Sequence, residues 1–125
     1  MRLPEDDEGY LRHKGFDWEL LPVGEEGCLV LKDYAVSASM YDRATTDVLI
    51  RIPAQYNNAA LDMFYCDPPL KLQSGAYPDR ADHFETHIGR NWQRFSRHFP
   101  TPWRAGVDSL PTLLTFVQRE LHRQG

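Results

Sequence analysis

Two periodicities divide the chain. Between Trp18 and Cys66 apolar residues recur in short strand-like runs, whereas Leu110, Leu113, Leu114, Val117 and Leu121 fall at helical spacing. The second pattern predicts a helix over 110–123, with Pro111 suited to its first turn and Asp108 or Ser109 placed to cap it. The first predicts strands over 18–23, 28–34, 45–52 and 61–66. Gly24 to Gly27 supply a hairpin turn, and Pro53 and Asp67-Pro68-Pro69 act as stops. In the fourth strand Leu61, Met63 and Tyr65 alternate with Asp62, Phe64 and Cys66. Ahead of the strands, residues 4–14 carry helix signals. Proline opens the segment, Glu5, Asp6, Asp7 and Glu8 suit the positive end of the helix dipole, and Arg12, His13 and Lys14 suit the other. Gly15 follows as a left-handed cap. Residues 70–88 show no clear period and read as loop. The expected order is helix, four-stranded antiparallel meander, irregular segment, helix. That is an α+β arrangement with one sheet face under the last helix.

The 125 residues fit one domain, 1–125, long enough to bury a core unaided. No apolar run approaches the ~20 residues needed to cross a bilayer, and the start M-R-L-P-E-D-D-E has no signal-peptide core. A cytoplasmic protein without membrane contact is expected, with Cys28 and Cys66 reduced rather than bridged. Net charge is −4 but uneven. Residues 1–44 hold five basic and ten acidic side chains, whereas residues 90–125 hold six arginines and two acids. Two surfaces with different partners are expected, and an acidic chain argues against general nucleic-acid binding despite its alternating arginines and aromatics.

The densest chemistry lies between Gly89 and Trp103. Arg90, Arg94, Arg97 and His98 interleave there with Trp92, Phe95, Phe99 and Trp103 around a single hydroxyl, Ser96. Composition alone makes the aromatics core and the arginines a solvated rim. His83 and His87 have a helical zinc-ligand spacing, but their segment lacks a helical pattern and a third ligand, so no metal is expected.

Specific residues also carry a likeness. I-P-A-Q-Y-N-N-A-A-L-D-M-F-Y, residues 52–65, resembles the Phe-Pro-x-x-Tyr-Pro passage of ubiquitin-conjugating enzymes, with Ile52, Pro53, Tyr56 and Tyr65 in register. Trp103 followed by the 110–121 helix resembles the tryptophan and helix after that family's active-site segment. F-Y-C-D-P-P-L, G-R-N-W-Q-R-F-S-R-H and W-R-A-G-V-D-S-L resemble more closely a bacterial branch, the prokaryotic ubiquitin-conjugating-like family E. The resemblance implies a ubiquitin-conjugating-enzyme-like fold and transfer of a ubiquitin-like protein to an amine. The implied partners are that protein, its activating enzyme and a metal-dependent deubiquitinase-like peptidase. No cofactor is implied, because ATP would be consumed by the activating enzyme.

The sequence also departs from that pattern. Asn57, Ala60 and Leu61 replace prolines, His-Pro-Asn is absent, the first helix is acidic rather than basic, and no cysteine follows Cys66. Counting back from Trp103, Ser96 falls within about one position of the missing cysteine. Ser96 is therefore the expected carrier, as an oxyester. In an extended segment His98 and Arg94 would share its face, His98 as base and Arg94 and Arg97 as support for the oxyanion. Cys66 is the alternative nucleophile, disfavoured because Asp67 and an apolar strand would raise its pKa. The remaining alternative is a catalytically inactive module that binds the ubiquitin-like protein or its activating enzyme.

Overall fold

Helix α1 (Glu5–Lys14) follows Pro4, carries its four acids in the first turn and ends at Gly15, whose φ of 74° is the left-handed conformation a side chain would strain. The computed structural model describes residues 1–123 and places six strands next: β1 (Asp17–Val23), β2 (Glu26–Ala35), β3 (Thr45–Ile52), β4 (Phe64–Asp67), β5 (His83–His87) and β6 (Arg90–Phe95). Helix α2 (Leu110–Leu121) comes last. The strands form one antiparallel sheet in the order β1-β2-β3-β4-β6-β5.

The α+β class holds, but the four-stranded meander is corrected to six strands. Residues 83–87, expected to be loop, pair with residues 90–95 through a two-residue turn. Ile88 at φ 50° and Gly89 at φ 74° give that turn the two left-handed positions that match strand twist. Isoleucine is a poor residue for such a conformation. Its side chain packs against the cluster around Trp92, which holds it there. Strand β4 begins at Phe64 rather than Leu61, because Met63 at φ 59° leaves the extended region. The first hairpin is also tighter than expected, with Val23 directly opposite Glu26.

The two sheet faces differ. Leu29, Leu31, Val48, Ile50, Phe64 and Phe95 meet Leu11 of α1 and Leu113, Leu114 and Val117 of α2 in the main core. Away from the helices, Cys28, Val30, Leu49, Tyr65 and Trp92 form a smaller buried cluster. Among the described residues no helix is long and apolar enough to cross a membrane.

The 52–60 connection joins the helices to each other. The Tyr56 hydroxyl donates to Asp7 Oδ2 and accepts from the Leu110 N–H, both at 2.6 Å. Leu110 opens α2, so the phenol satisfies one of the helix's orphan donors while gripping α1. Asn57 Nδ2 donates to Asp108 O at 2.8 Å, and Trp103 Nε1 donates to Asn57 O at 2.9 Å.

Tyr56→Phe removes both bonds and leaves a buried carboxyl and a helix-end N–H unsatisfied. A loss of about 2 kcal/mol is expected, read as a lower urea midpoint at unchanged slope; a loss below ~0.5 kcal/mol would contradict the clamp. Burial pushes the Asp7 carboxyl above its ordinary 3.8, against the Tyr56 hydrogen bond, with nearby Asp6 adding to the rise. Its favourable share of stability is thus complete below that ordinary value and is lost as pH rises through the raised one. Asp7→Asn should flatten that part of the stability–pH curve.

Candidate active site

Strand β6 lies between β4 and β5, and its alternation sorts the chemistry. Gln93 and Phe95 point into the core, where Gln93 Nε2 donates to the carbonyls of Leu70 and Ala81, each at 2.9 Å. Trp92 and Arg94 point to the other face, with Arg94 opposite Tyr65 of β4 and His83 of β5. The Arg94 guanidinium donates through Nη1 to Glu85 Oε2 and through Nε to Ser96 Oγ, both at 2.8 Å. Glu85 gathers further partners at its other oxygen: His87 Nε2 lies at 2.9 Å, and the Tyr65 hydroxyl donates at 3.2 Å. Burial works to raise the Glu85 pKa, but the hydrogen bonds from Arg94, His87 and Tyr65 outweigh it and leave it lowered.

Ser96 is half-buried just beyond β6. Its N–H donates to Arg80 O at 2.9 Å, and the Arg97 N–H donates to Phe95 O at 2.8 Å, so the chain turns at Ser96 instead of running straight. That turn separates the residues expected to share a face. Arg97 enters the fold, 3% exposed, where Nη1 donates to Glu120 O (2.8 Å) and Nη2 to Asp79 O (2.9 Å). It ties the end of α2 to the segment before β5 and is not directed at Ser96. Arg90 is likewise engaged, donating to Asp67 Oδ2 (2.9 Å) and Asp47 Oδ2 (3.0 Å) while lying over the Trp92 ring.

His98 is exposed, with Nδ1 at 2.8 Å from Asp62 Oδ2. A carboxylate oxygen accepts, so Nδ1 is the donor in this bond, and in the neutral imidazole that leaves the lone pair on Nε2. No hydrogen bond joins Ser96 to His98 among the described residues; the two stand two residues apart, each with its own partner. The structure brings Arg94 to Ser96 and Asp62 to His98, whereas the Arg97 guanidinium bonds the carbonyls of Glu120 and Asp79 and Cys66 lies in the main core. Cys66 is fully buried on the core side, where burial pushes its thiol up strongly, with Asp67 adding to the rise and Thr46 and Arg97 opposing it. Cys28 is buried as well, and both cysteines are free.

Sequence reasoning missed Asp62, Glu85 and Tyr65. A signal for Glu85 existed: H-x-E-x-H and R-x-W-x-R, separated by Ile-Gly, is a period-two polar pattern across a short turn. On strand β5, His83 and His87 lie ~13 Å apart along the chain and cannot share an ion. Among the described residues no group of three or more metal-ligating side chains converges.

Residues 3–124 match the family model described as Prokaryotic E2 family E. The chain belongs to this family. The match spans nearly the whole sequence and makes this E2-like protein a ubiquitin-conjugating-like chain, with a ubiquitin-like protein and its activating enzyme as implied partners. No curated protein and no solved structure matches it. Within the E2 family the usual carrier is a cysteine, and both thiols of this member are sealed in the fold.

Iodoacetamide applied to the native protein should therefore label neither cysteine, and both should react once the chain is denatured. Native labelling of Cys66, found by peptide mass mapping, would restore it as a candidate nucleophile.

Proposed function

We propose that this E2-like protein receives an activated ubiquitin-like protein as an oxyester on Ser96 and passes it to an amine. The observation that carries the reading is the 2.8 Å bond from Arg94 Nε to Ser96 Oγ. A serine hydroxyl is a weak nucleophile, and it gains from a cation on its oxygen that stabilises the developing alkoxide. With one lone pair already engaged, the hydroxyl proton is left to be given away.

In the first step Ser96 Oγ attacks the carbonyl of the partner's C-terminal thioester. The C–O bond forms, the C–S bond breaks, and the Oγ proton passes through His98 Nε2 to the leaving thiolate. In the second step an amine attacks the ester carbonyl, the C–Oγ bond breaks, and the amine's surplus proton returns to Oγ. Arg94 then stabilises the departing oxygen. Asp62 keeps the His98 ring in the tautomer with a basic Nε2. Because the resting chain has no Ser96–His98 bond, proton passage runs through a water or a small rotation of the imidazole.

Intact mass after incubation with ATP, activating enzyme and ubiquitin-like protein tests this. The wild-type protein should gain the partner's mass, and hydroxide should release it. Ser96→Ala should gain nothing, and His98→Gln should load ~100-fold more slowly. An adduct that persists in Ser96→Ala contradicts the reading. A wild-type protein that binds its partner but never gains mass would instead be the inactive binding module.

A further inference from the structure

A cleft of about 460 Å³ opens beside His98, between the segment before β5 and the outer side of α2. Its lining joins His98 to Arg80, Arg97, Arg119 and Arg123, with Phe116 as an apolar wall. The adjoining groove, about 380 Å³, shares Phe116 and Arg119 and runs along α2 past Phe99 and Thr112. Four guanidinium groups around one cavity stand out in a chain whose net charge is −4. Arg123 Nη2 is 3.0 Å from Glu120 Oε1, Arg80 Nε is 4.0 Å from Asp79 Oδ2, and the buried Arg97 donates to the backbone carbonyls of those same two acidic residues. Arg119 is exposed and has no ion-pair partner among the described residues. The cleft therefore carries surplus positive charge, concentrated where it meets the groove.

Its position gives that charge a use. Arg80 lines the cleft, and its carbonyl accepts from the Ser96 N–H. His98 forms part of the wall. The cleft meets the Ser96 segment through these two residues, so a ligand seated in it lies against His98, the base that must take a proton from the attacking amine. We propose that the cleft binds an acidic peptide segment of the acceptor protein, so that amines flanked by aspartate or glutamate are preferred acceptors. This inference rests on the reading of Ser96 as the carrier. Asp79 and Glu120 interrupt the positive charge of the lining, and the chain as a whole stands at −4, so the cleft matches spaced side-chain carboxylates better than a continuous phosphate backbone. The apolar groove along α2 suits the flanking side chains of a peptide.

The test needs no conjugation, so it fails or succeeds independently of the Ser96 reading. Fluorescein-labelled peptides carry one lysine flanked by glutamate and aspartate, or by serine and alanine, and binding to the full chain is followed by anisotropy. The acidic peptide should bind at least about tenfold tighter, and the advantage should shrink as salt is raised. Arg119→Glu combined with Arg80→Glu should abolish the preference. Arg119→Lys keeps the charge and should retain it, with circular dichroism confirming that each variant is folded. Equal affinity for both peptides, or a preference that survives the double reversal, overturns the proposal. So does a single-stranded oligonucleotide that binds more tightly than the acidic peptide.

Discussion

Everything at the site depends on how β6 is seated. Pairing with β4 on one side and β5 on the other fixes its register, so that Tyr65, Arg94 and His83 line up across three strands. A shift of one residue would turn Arg94 into the core and Phe95 out to solvent. Gln93 makes that shift costly, because its amide is bonded to three backbone groups in the interior: it donates to Leu70 O and Ala81 O and accepts from the Leu70 N–H. Buried polar groups satisfied this fully hold a single arrangement. The guanidinium that reaches Ser96 is thus aimed by a buried amide on the neighbouring residue.

A second constraint works from the other side of the molecule. Tyr56 ties α1 to the start of α2, Asn57 ties the same connection to Asp108, and Trp103 closes back onto Asn57. The segment between β6 and α2 is therefore held at both ends, by the ladder before Ser96 and by this network after Trp103. Arg97 supplies a third attachment, under the end of α2. Between them Ser96 is partly exposed, and His98 and Thr101 stand at the surface. The acids of α1 also separate by role. Asp7 is buried against Tyr56, and Glu5 and Asp6 remain exposed on a helix that is basic in the usual conjugating enzymes.

The ends of the chain were legible because their signals are local. The caps of α1 and the apolar stripe of α2 each sit within one element, and β2 and β3 carry short apolar runs bounded by polar or turn residues. The β5–β6 hairpin was not legible as a turn, since Ile88 occupies a position where asparagine, aspartate or glycine is the usual mark. Its strands are short and largely polar, which reads as loop when their pairing is unknown. At the site, Ser96, Arg94 and His98 could be picked out as chemistry-bearing residues in one stretch. Their partners could not: Asp62 and Glu85 lie 36 and 9 residues away from the groups they bond. Arg97 was misplaced for a related reason. The turn at Ser96 breaks the strand alternation, and nothing in the local sequence announces it.

In the proposed reaction a hydroxyl acts where conjugating enzymes usually present a thiol. The most direct measurement exchanges the atom itself. Ser96→Cys, charged with the ubiquitin-like protein and split between dithiothreitol and mild hydroxide, should carry a conjugate that the thiol releases within minutes. The wild-type conjugate should resist the thiol and yield only to hydroxide. If the conjugate keeps the same sensitivity in both proteins, the bond is elsewhere and Ser96 is not the carrier.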